Sequence, residues 1–175
     1  MSKINKNISF LGINIALATI SDTRTFHNDH SGDLLEQRLK KAGHNLANRL
    51  IVPDNKSEIV AILKRWIYDP NIDVVIATGG TGVTGRDVTP DAFFEVYDKE
   101  IPGFGELFRM LSYEKIGTST IQSRATAGVA EGTFLFALPG STNACKDAWD
   151  SILIHQLDIR HKPCNFVELI PRLKE

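Results

Sequence analysis

Cysteine is scarce in this chain. The two that occur, Cys145 and Cys164, stand in neither a C-x-x-C nor a zinc-type spacing. Two cysteines cannot build a disulfide framework, which excludes a small secreted domain held together by several bridges. None of the five histidines has the spacing of a metal ligand, and no Gly-x-Ser-x-Gly sequence is present. Zinc chemistry and serine hydrolysis therefore have no support in the sequence.

An excess of charge of one sign is also missing. The formal net charge is -1, so no bulk field favours nucleic acid or an anionic membrane as a partner. There is no secretory signal and no apolar run long enough to span a bilayer, so we expect a cytoplasmic protein. The 175 residues are 42% hydrophobic and 23% charged, which predicts a single domain over 1–175. Its core is expected at about 12–160, with terminal arms at 1–11 and 162–175.

The first half of the chain alternates between apolar strands and amphipathic helices. Strands are predicted at 13–20, 46–52 and 73–78, with Ser31 and Asn55 as the N-caps of the two intervening helices. Apolar strands joined by helical crossovers are typical of an α/β protein. We therefore predict a three-layer sandwich in which helices cover both faces of a mainly parallel central sheet.

The second half continues this architecture. Thr89 is predicted to cap a helix, and a break at 102–103 precedes another. Two strands at 126–129 and 133–138 flank a tight turn, which is typical of a β-hairpin. The turn at 139–141 then leads into the last helix.

The most informative local feature is a glycine-rich loop. Four of the 13 glycines fall between Gly79 and Gly85, directly after an apolar strand. Such a loop commonly holds a phosphate, because its amides and the next helix N-terminus supply positive potential. The segment 80–85 fits the dinucleotide pattern G-x-G-x-x-G, but it follows the third strand, and Asp87 and Pro90 interrupt where the helix should begin. A P-loop would need a lysine where Arg86 stands, and a glycine turn without a ligand remains an alternative.

Polar residues follow each predicted parallel strand. The pairs 21–22, 53–54 and 78–79 end the first three strands, and Asp87 lies close by in sequence. In open α/β sheets, ligands bind beyond the carboxyl ends of the strands. The turn at 139–141 adds a second amide-rich segment before a helix. These two turns could hold two phosphate-bearing ligands, or the two ends of one.

Five motifs in order give a more specific indication: Thr78-Gly79-Gly80-Thr81-Gly82, Arg86-Asp87-Val88-Thr89-Pro90, Pro102-Gly103-Phe104-Gly105-Glu106, Ser123-Arg124 and Leu138-Pro139-Gly140-Ser141. In this order they resemble the motifs of the molybdopterin-binding proteins of molybdenum cofactor biosynthesis. The stretch 103–113, with 116–120 and 122–124, is similar to one branch of that family, the protein B branch. The resemblance covers roughly residues 12–166.

The resemblance implies the molybdopterin-binding fold and a homo-oligomer, which is trimeric in the family and hexameric in this branch. It also implies molybdopterin, a pterin with a terminal phosphate, as the ligand. Active relatives adenylylate that phosphate with ATP and Mg²⁺, and other enzymes of the pathway are candidate partners. A protein that binds or carries molybdopterin without catalysis is the alternative.

The same resemblance implies the site residues. Asp54 and Asp87 correspond to the family's two functional aspartates, and carboxylates suit Mg²⁺, so we expect both to be catalytic and to bind the metal. A purely local role for Asp87, complementing a helix dipole, is the alternative. Arg109 and Arg124 could each meet a phosphate or pair with an acid. The expected substrate-binding residues are Ser21, Thr78, Gly79, Gly80, Thr81, Gly82, Ser123, Arg124, Pro139, Gly140 and Ser141.

Overall fold

A computed structural model describes residues 3–175, and Met1 and Ser2 lie outside the described residues. The eight strands are β1 (Lys3–Ile4), β2 (Asn14–Ile20), β3 (Asn45–Val52), β4 (Val74–Thr78), β5 (Lys99–Glu100), β6 (Thr126–Ala130), β7 (Thr133–Leu138) and β8 (His161–Lys162). The α-helices are α1 (His30–Ala42), α2 (Lys56–Ile67), α3 (Thr89–Val96), α4 (Pro102–Ile116), α5 (Thr142–Ala148) and α6 (Ile154–Gln156). A π-helical turn at Trp149–Leu153 joins α5 to α6, and 3-10 helices cover Gly117–Gln122 and Val167–Arg172. Within residues 3–175, no helix combines the length and the apolar character that a membrane span requires.

Six strands form the central sheet in the order β3-β2-β4-β7-β6-β5. The pairings β3–β2, β2–β4 and β4–β7 are parallel, whereas β7–β6 and β6–β5 are antiparallel. The predicted α/β fold with a mainly parallel sheet is thus confirmed. The predicted hairpin is the β6–β7 pair, and its turn residues Glu131 and Gly132 both have positive φ, as type I′ turns require.

Alternation along the strands builds one apolar layer on each face of the sheet. On β2, Ile15 and Leu17 face the layer of α1, α4 and α5, while Ala16 and Ala18 face the layer of α2 and α3. Successive side chains of a strand point to opposite faces, so a strand buried on both sides must be apolar throughout. This explains why the central strands are continuous apolar runs, and it confirms the three layers.

The crossovers create a crevice between β2 and β4. After β2 the chain passes to one face of the sheet as α1, and after β4 it passes to the other face as α3. The loops that leave these neighbouring parallel strands therefore diverge at their carboxyl ends. Ligand sites of open α/β sheets lie at such switch points.

Three predicted helix starts are wrong. Asp29, not Ser31, caps α1, because its carboxylate accepts the Gly32 amide at 2.9 Å. Thr89 lies inside α3, and the N-cap Val88 provides no side-chain hydrogen bond. Helix α4 begins at Pro102 rather than after a break, which is consistent with the preference of proline for the first turn.

The described parts of the two terminal segments contact each other, and the C-terminal segment also contacts the core. Strand β1 pairs with β8 through Lys3–Lys162 and Ile4–His161. At the other end, Phe166 lies 4.7 Å from Phe134 of β7 between ring centroids. The division into a core at about 12–160 and terminal segments at 1–11 and 162–175 stays a prediction.

Candidate functional site

A cleft of about 390 Å³ lies at the carboxyl ends of β2 and β4, at the switch point of the sheet. Its volume is in the usual range of sites for small molecules. It is lined by Thr19, Ile20, Ser21, Thr23, Arg24, Asp29, Ser31, Asp54, Thr78, Gly79, Gly80, Arg86, Asp87 and Gly140. Seven of the residues expected from the sequence to form the site are among them: Ser21, Asp54, Thr78, Gly79, Gly80, Asp87 and Gly140.

The glycine loop reaches this cleft through a turn that only glycine can form. Gly79 and Gly80 have φ of 108° and 61°, a region that side chains disfavour. A Cβ on Gly79 would lie 2.2 Å from the carbonyl oxygen of Ile20. The absence of that carbon lets the loop after β4 pack directly against the end of β2.

Hydrogen bonds from Thr89 and to the end of β7 hold the turn at Gly79 and Gly80 in place. The Thr89 hydroxyl donates to the Gly79 carbonyl at 2.8 Å, and the Thr89 amide donates to the Gly80 carbonyl at 3.0 Å. The Gly79 amide donates to the carbonyl of Leu138 at 3.0 Å. That amide is occupied within the protein, so the loop's candidate donor for a phosphate is the amide of Gly80, which lines the cleft.

Asp87 closes the far end of the loop and stays ionised. Its Oδ2 accepts the Thr84 amide at 2.8 Å and the Thr84 hydroxyl at 2.7 Å. Burial alone would raise the pKa of Asp87, but these bonds, the Gly82 amide and the charge of Arg124 outweigh it and lower the pKa.

Asp54 follows β3 and also lines the cleft, but its pKa is shifted in the opposite direction to that of Asp87. The Asp22 amide donates to its carboxylate at 3.1 Å, and the Asp54 amide donates to the Asp22 carboxylate at 3.1 Å. Burial, and then the negative charge of Asp87, raise the pKa of Asp54 above its ordinary value. The pKa of Asp87 is thus lowered, whereas the pKa of Asp54 is raised by burial and, to a smaller extent, by the charge of Asp87.

The two aspartates suit a magnesium site that is completed by a bound ligand, but not one built from protein side chains alone. Across residues 3–175, no group of three or more His, Cys, Asp or Glu side chains is arranged to hold a metal by itself. Mg²⁺ is commonly held by one or two carboxylates together with waters and substrate phosphates. Asp54 and Asp87 would suit such a site, because the phosphates of a bound nucleotide would complete the ligand set.

Beneath the cleft, a buried ion pair fixes the base of α1. Asp29, only 1% exposed, accepts the Thr19 hydroxyl at 2.7 Å and the Arg49 guanidinium at 2.8 Å. Burial favours a raised pKa for Asp29, but Arg49, the Gly32 amide and Thr19 outweigh it and lower the pKa. Arg49 offsets part of the charge of Asp29, because the same guanidinium also pairs with Asp33 and Glu36.

Two arginines form the basic part of the rim. Arg86 of the glycine loop pairs with Asp22 of the loop after β2, across the mouth of the cleft. Arg24 donates to the Asn28 carbonyl at 2.8 Å and is otherwise exposed. Both guanidinium groups belong to exposed residues, so a bound anion could attract either of them.

The remaining expected site residues lie outside the lining of the cleft. Arg124 is behind the glycine loop, where its guanidinium donates to the Asp87 carbonyl at 3.1 Å and to the Asp91 carboxylate at 2.9 Å. Arg109 donates to the carbonyl of Ala125 at 3.2 Å. These two arginines therefore brace the backbone around the cleft. The others outside the lining are Thr81, Gly82, Ser123, Pro139 and Ser141.

Several lining residues were not among the predicted ones. Thr19, Arg24, Asp29, Ser31 and Arg86 all contribute to the cleft. Arg86 could have been inferred from its place in the glycine loop. Asp29 and Ser31 could not, because their part in the site depends on how α1 packs against the ends of β2 and β7.

The comparisons with known proteins agree with this fold. Residues 16–159 match the family model described as "Probable molybdopterin binding domain". The chain therefore belongs to the molybdopterin-binding domain family.

Comparison with individual relatives shows which members of that family the chain is similar to. The chain is 48% identical over 157 residues to molybdenum cofactor biosynthesis protein B of Escherichia coli K12, covering 90% of this chain and 92% of that protein. A crystal structure of a molybdenum cofactor biosynthesis protein B superimposes with a TM-score of 0.85 at 39% identity, covering 94% of this chain and 97% of the other. The tungsten cofactor synthesizing protein MoaB from Pyrococcus furiosus gives a TM-score of 0.73 at 38% identity, covering 81% and 91%. These similarities support a role in molybdenum cofactor biosynthesis.

Proposed function

We propose that the chain binds molybdopterin in the cleft between β2 and β4 and transfers an adenylyl group from Mg-ATP to its terminal phosphate. The observation that carries this proposal is the pair formed by Asp54 and Asp87. The two carboxylates face one cleft at the switch point, and the charge of Asp87 contributes to the raised pKa of Asp54. Coupled carboxylates in a cleft are a common feature of functional sites.

Two backbone turns meet at the cleft and provide places for two anionic groups. A Cβ on Gly140 would lie 3.2 Å from the Cα of Gly79, so the turns after β4 and β7 are in direct contact. The β4 turn would offer the amide of Gly80, and the β7 turn would offer that of Gly140, since both residues line the cleft. Holding both reactants against one rigid unit favours reaction because it removes much of the entropy of bringing them together.

The charge of the cleft supports the proposal that a divalent cation is required. Asp29 pairs with Arg49, which it shares with Asp33 and Glu36, and Asp22 pairs with Arg86. Asp54 and Asp87 also line the cleft, so they would face a bound phosphate. Two carboxylates would repel a nucleotide triphosphate at close range. Asp54 and Asp87 would hold Mg²⁺, and its positive charge would offset that repulsion.

In the proposed reaction, a terminal phosphate oxygen of molybdopterin attacks the α-phosphorus of ATP. A new P–O bond forms, the bond from the α-phosphorus to the bridging oxygen breaks, and pyrophosphate leaves with the electron pair. The attacking phosphate is already ionised at neutral pH, so the protein need not remove a proton. The chain's own contribution is to align the groups in line and to orient the charge around them.

Binding without catalysis is the second candidate. It is favoured by the engagement of both carboxylates with backbone amides, at 3.1 Å for Asp54 and 2.8 Å for Asp87. An aspartate whose carboxylate accepts backbone amides can have the purely structural role of fixing the conformation of its loop. Calorimetry with molybdopterin and Mg-ATP, followed by product analysis, separates the two candidates.

The proposal also includes self-association. Side chains along α4 and the following 3-10 helix leave an exposed apolar face, with Leu107 at 39%, Met110 and Tyr113 at 59% and Ile121 at 81% exposed. A patch of this kind usually marks an interface. A trimer, or a hexamer of two trimers, would cover it. Light scattering should give three or six times the 19.4 kDa chain mass, and Met110→Asp should reduce it.

Catalysis is tested with matched asparagine variants. Asp87→Asn should fold normally and lose AMP transfer by about 100-fold or more, since it removes a charge aimed at the reacting phosphates. Asp91→Asn, four residues on, removes an exposed carboxylate that pairs with Arg124 outside the cleft, and should keep near-normal turnover. Equal turnover by both variants and the unmodified protein would rule out the role of Asp87.

A further inference from the structure

A second cavity, of about 410 Å³, lies at the end of α1 that is remote from the cleft. Its volume is again in the usual range of sites for small molecules. The cleft contacts the start of α1 through Asp29 and Ser31, whereas this cavity contacts the last turn of the same helix through Lys41 and Ala42. The 13 residues of α1 extend over about 20 Å, so the cavity and the cleft are separate sites.

A buried imidazole presents an unused hydrogen-bond donor to this cavity. His44 is 5% exposed and lines the cavity, and its Nδ1 accepts the Ile13 amide at 3.4 Å. Burial lowers the pKa of His44, so the ring is neutral at pH 7 and carries its proton on Nε2. Within the described chain, Nε2 has no hydrogen-bond acceptor, yet it is not fully enclosed by protein. An acceptor on a bound ligand would satisfy this donor, which the protein leaves unpaired.

The cavity also has one positive charge that the protein does not balance. Arg160 and Asp158, which both line it, form a bidentate pair with Nε–Oδ1 at 2.9 Å and Nη2–Oδ2 at 2.7 Å, so their charges offset each other. Lys40 of α1 pairs with Glu36 at 2.6 Å. Its neighbour Lys41, which lines the cavity, has no carboxylate within ion-pair distance in the part of the chain that the structure describes.

The walls between these polar groups are apolar. They come from the N-terminal segment, α1 and α6, and consist of Ile4, Phe10, Ala42 and Ile154. Two lining groups hold the Phe10 ring, whose centroid is 5.2 Å from that of the His44 ring and 5.0 Å from the guanidinium carbon of Arg160. A hydrocarbon or aromatic body of a ligand would be removed from water against these side chains.

The charge of the cavity favours a carboxylate over a phosphate. One unmatched ammonium and one neutral N–H donor correspond to a ligand with a single negative charge and two acceptor oxygens. A phosphate monoester carries a charge of about −1.5 to −2 at pH 7. Its additional negative charge would lie in a cavity that Asp158 also lines, and it would have no further cation to balance it.

We infer that this cavity is a second ligand site, which binds a small monocarboxylate with an apolar body. The carboxylate accepts hydrogen bonds from the Lys41 ammonium and from His44 Nε2, and the apolar body packs against Phe10 and Ile154. The site lies outside the cleft and does not depend on the function proposed there.

Benzoate is the probe for this site, because it joins one carboxylate to a rigid apolar ring. Calorimetry should show saturable benzoate binding that is about tenfold or more tighter than that of acetate, which lacks the ring, and of benzyl alcohol, which lacks the charge. Inorganic phosphate should not compete. In protein labelled with ¹⁵N-histidine, benzoate should shift the NMR signal of His44 Nε2 and leave that of His27, in the loop between β2 and α1, unchanged.

Variants at exposed positions test the contacts without disturbing the core. Lys41→Gln should weaken benzoate binding about three- to tenfold, because it removes one charged hydrogen bond. Lys64→Gln removes an exposed lysine from the last turn of α2, on the other face of the sheet, and as the matched control should leave the dissociation constant unchanged. Ile154 is 37% exposed, so Ile154→Glu should fold normally and abolish measurable binding by placing a like charge in the cavity.

Five results would overturn the inference. These are no saturable binding of benzoate to the unmodified protein, equal affinity for benzoate and benzyl alcohol, competition by inorganic phosphate, equal binding by Lys41→Gln and Lys64→Gln, and a His44 signal that benzoate does not move. None of these measurements involves a pterin or a nucleotide, so their failure would leave the proposed function of the cleft untouched.

Discussion

Replacing Gly79 with alanine tests the geometry on which the cleft depends. The new Cβ would lie 2.2 Å from the Ile20 carbonyl oxygen, a backbone atom that cannot move without shifting β2. The residue would also keep a φ of 108°. An unfavourable φ costs about 1–3 kcal/mol. Overpacking at a tight site costs a further ~1–3 kcal/mol. We therefore expect the free energy of unfolding to fall by about 2–6 kcal/mol.

Gly85 of the same loop is the matched control. A Cβ there would meet nothing within 4 Å, and its φ is not positive. Gly85→Ala should be neutral or should stabilise the fold by about 0.4–1 kcal/mol, because alanine restricts the unfolded chain. Urea unfolding of the two variants, followed by circular dichroism, gives both free energies. Similar unfolding midpoints for Gly79→Ala and Gly85→Ala would refute the close approach of the β4 turn to β2.

Three further predictions concern charge in and under the cleft. Arg49→Leu should lower the free energy of unfolding by about 3–5 kcal/mol, because it leaves the buried carboxylate of Asp29 unpaired; urea titration measures this. Since the pKa of Asp29 is lowered in the folded state, its ionised carboxylate stabilises the fold at neutral pH, and this contribution is lost as the pH falls below about 4. In acid unfolding, the Asp29→Asn variant should therefore lose less of its free energy of unfolding over this pH range than the unmodified protein does. Mg-ATP affinity should fall as the pH is lowered through the raised pKa of Asp54, and calorimetry with Asp54→Asn should find weak binding without that pH dependence. A pH-independent affinity in the unmodified protein would contradict the role of Asp54.

The layers and the edge of the sheet that carries the site could be predicted from the sequence. Apolar strands with helical spacing between them define a mainly parallel sheet, and the carboxyl ends of parallel strands must share one edge. The residues that directly follow those strands, such as Asp54 and Gly79, could therefore be placed near each other without coordinates. The glycine loop was predicted on the same grounds, since its glycines permit a conformation that other residues resist.

Contacts between distant elements could not be predicted in this way. Serine is a common N-cap residue, and Ser31 stands where the sequence predicts one. Asp29 caps α1 instead, because hydrogen bonds from Arg49 and Thr19 hold its carboxylate at the start of the helix. Arg124 belongs to a motif of the family, but it lies behind the glycine loop, since Asp91 and the Asp87 carbonyl offer closer partners than the cleft. Such roles depend on tertiary packing, which local sequence does not encode.

The most direct test of the central claim is a single-turnover reaction of the purified protein with molybdopterin, ATP and Mg²⁺, analysed by mass spectrometry. We predict adenylylated molybdopterin and one equivalent of pyrophosphate per product, with neither formed when Mg²⁺ is omitted. Molybdopterin bound tightly while ATP remains intact would contradict adenylyl transfer and leave the chain as a binding protein.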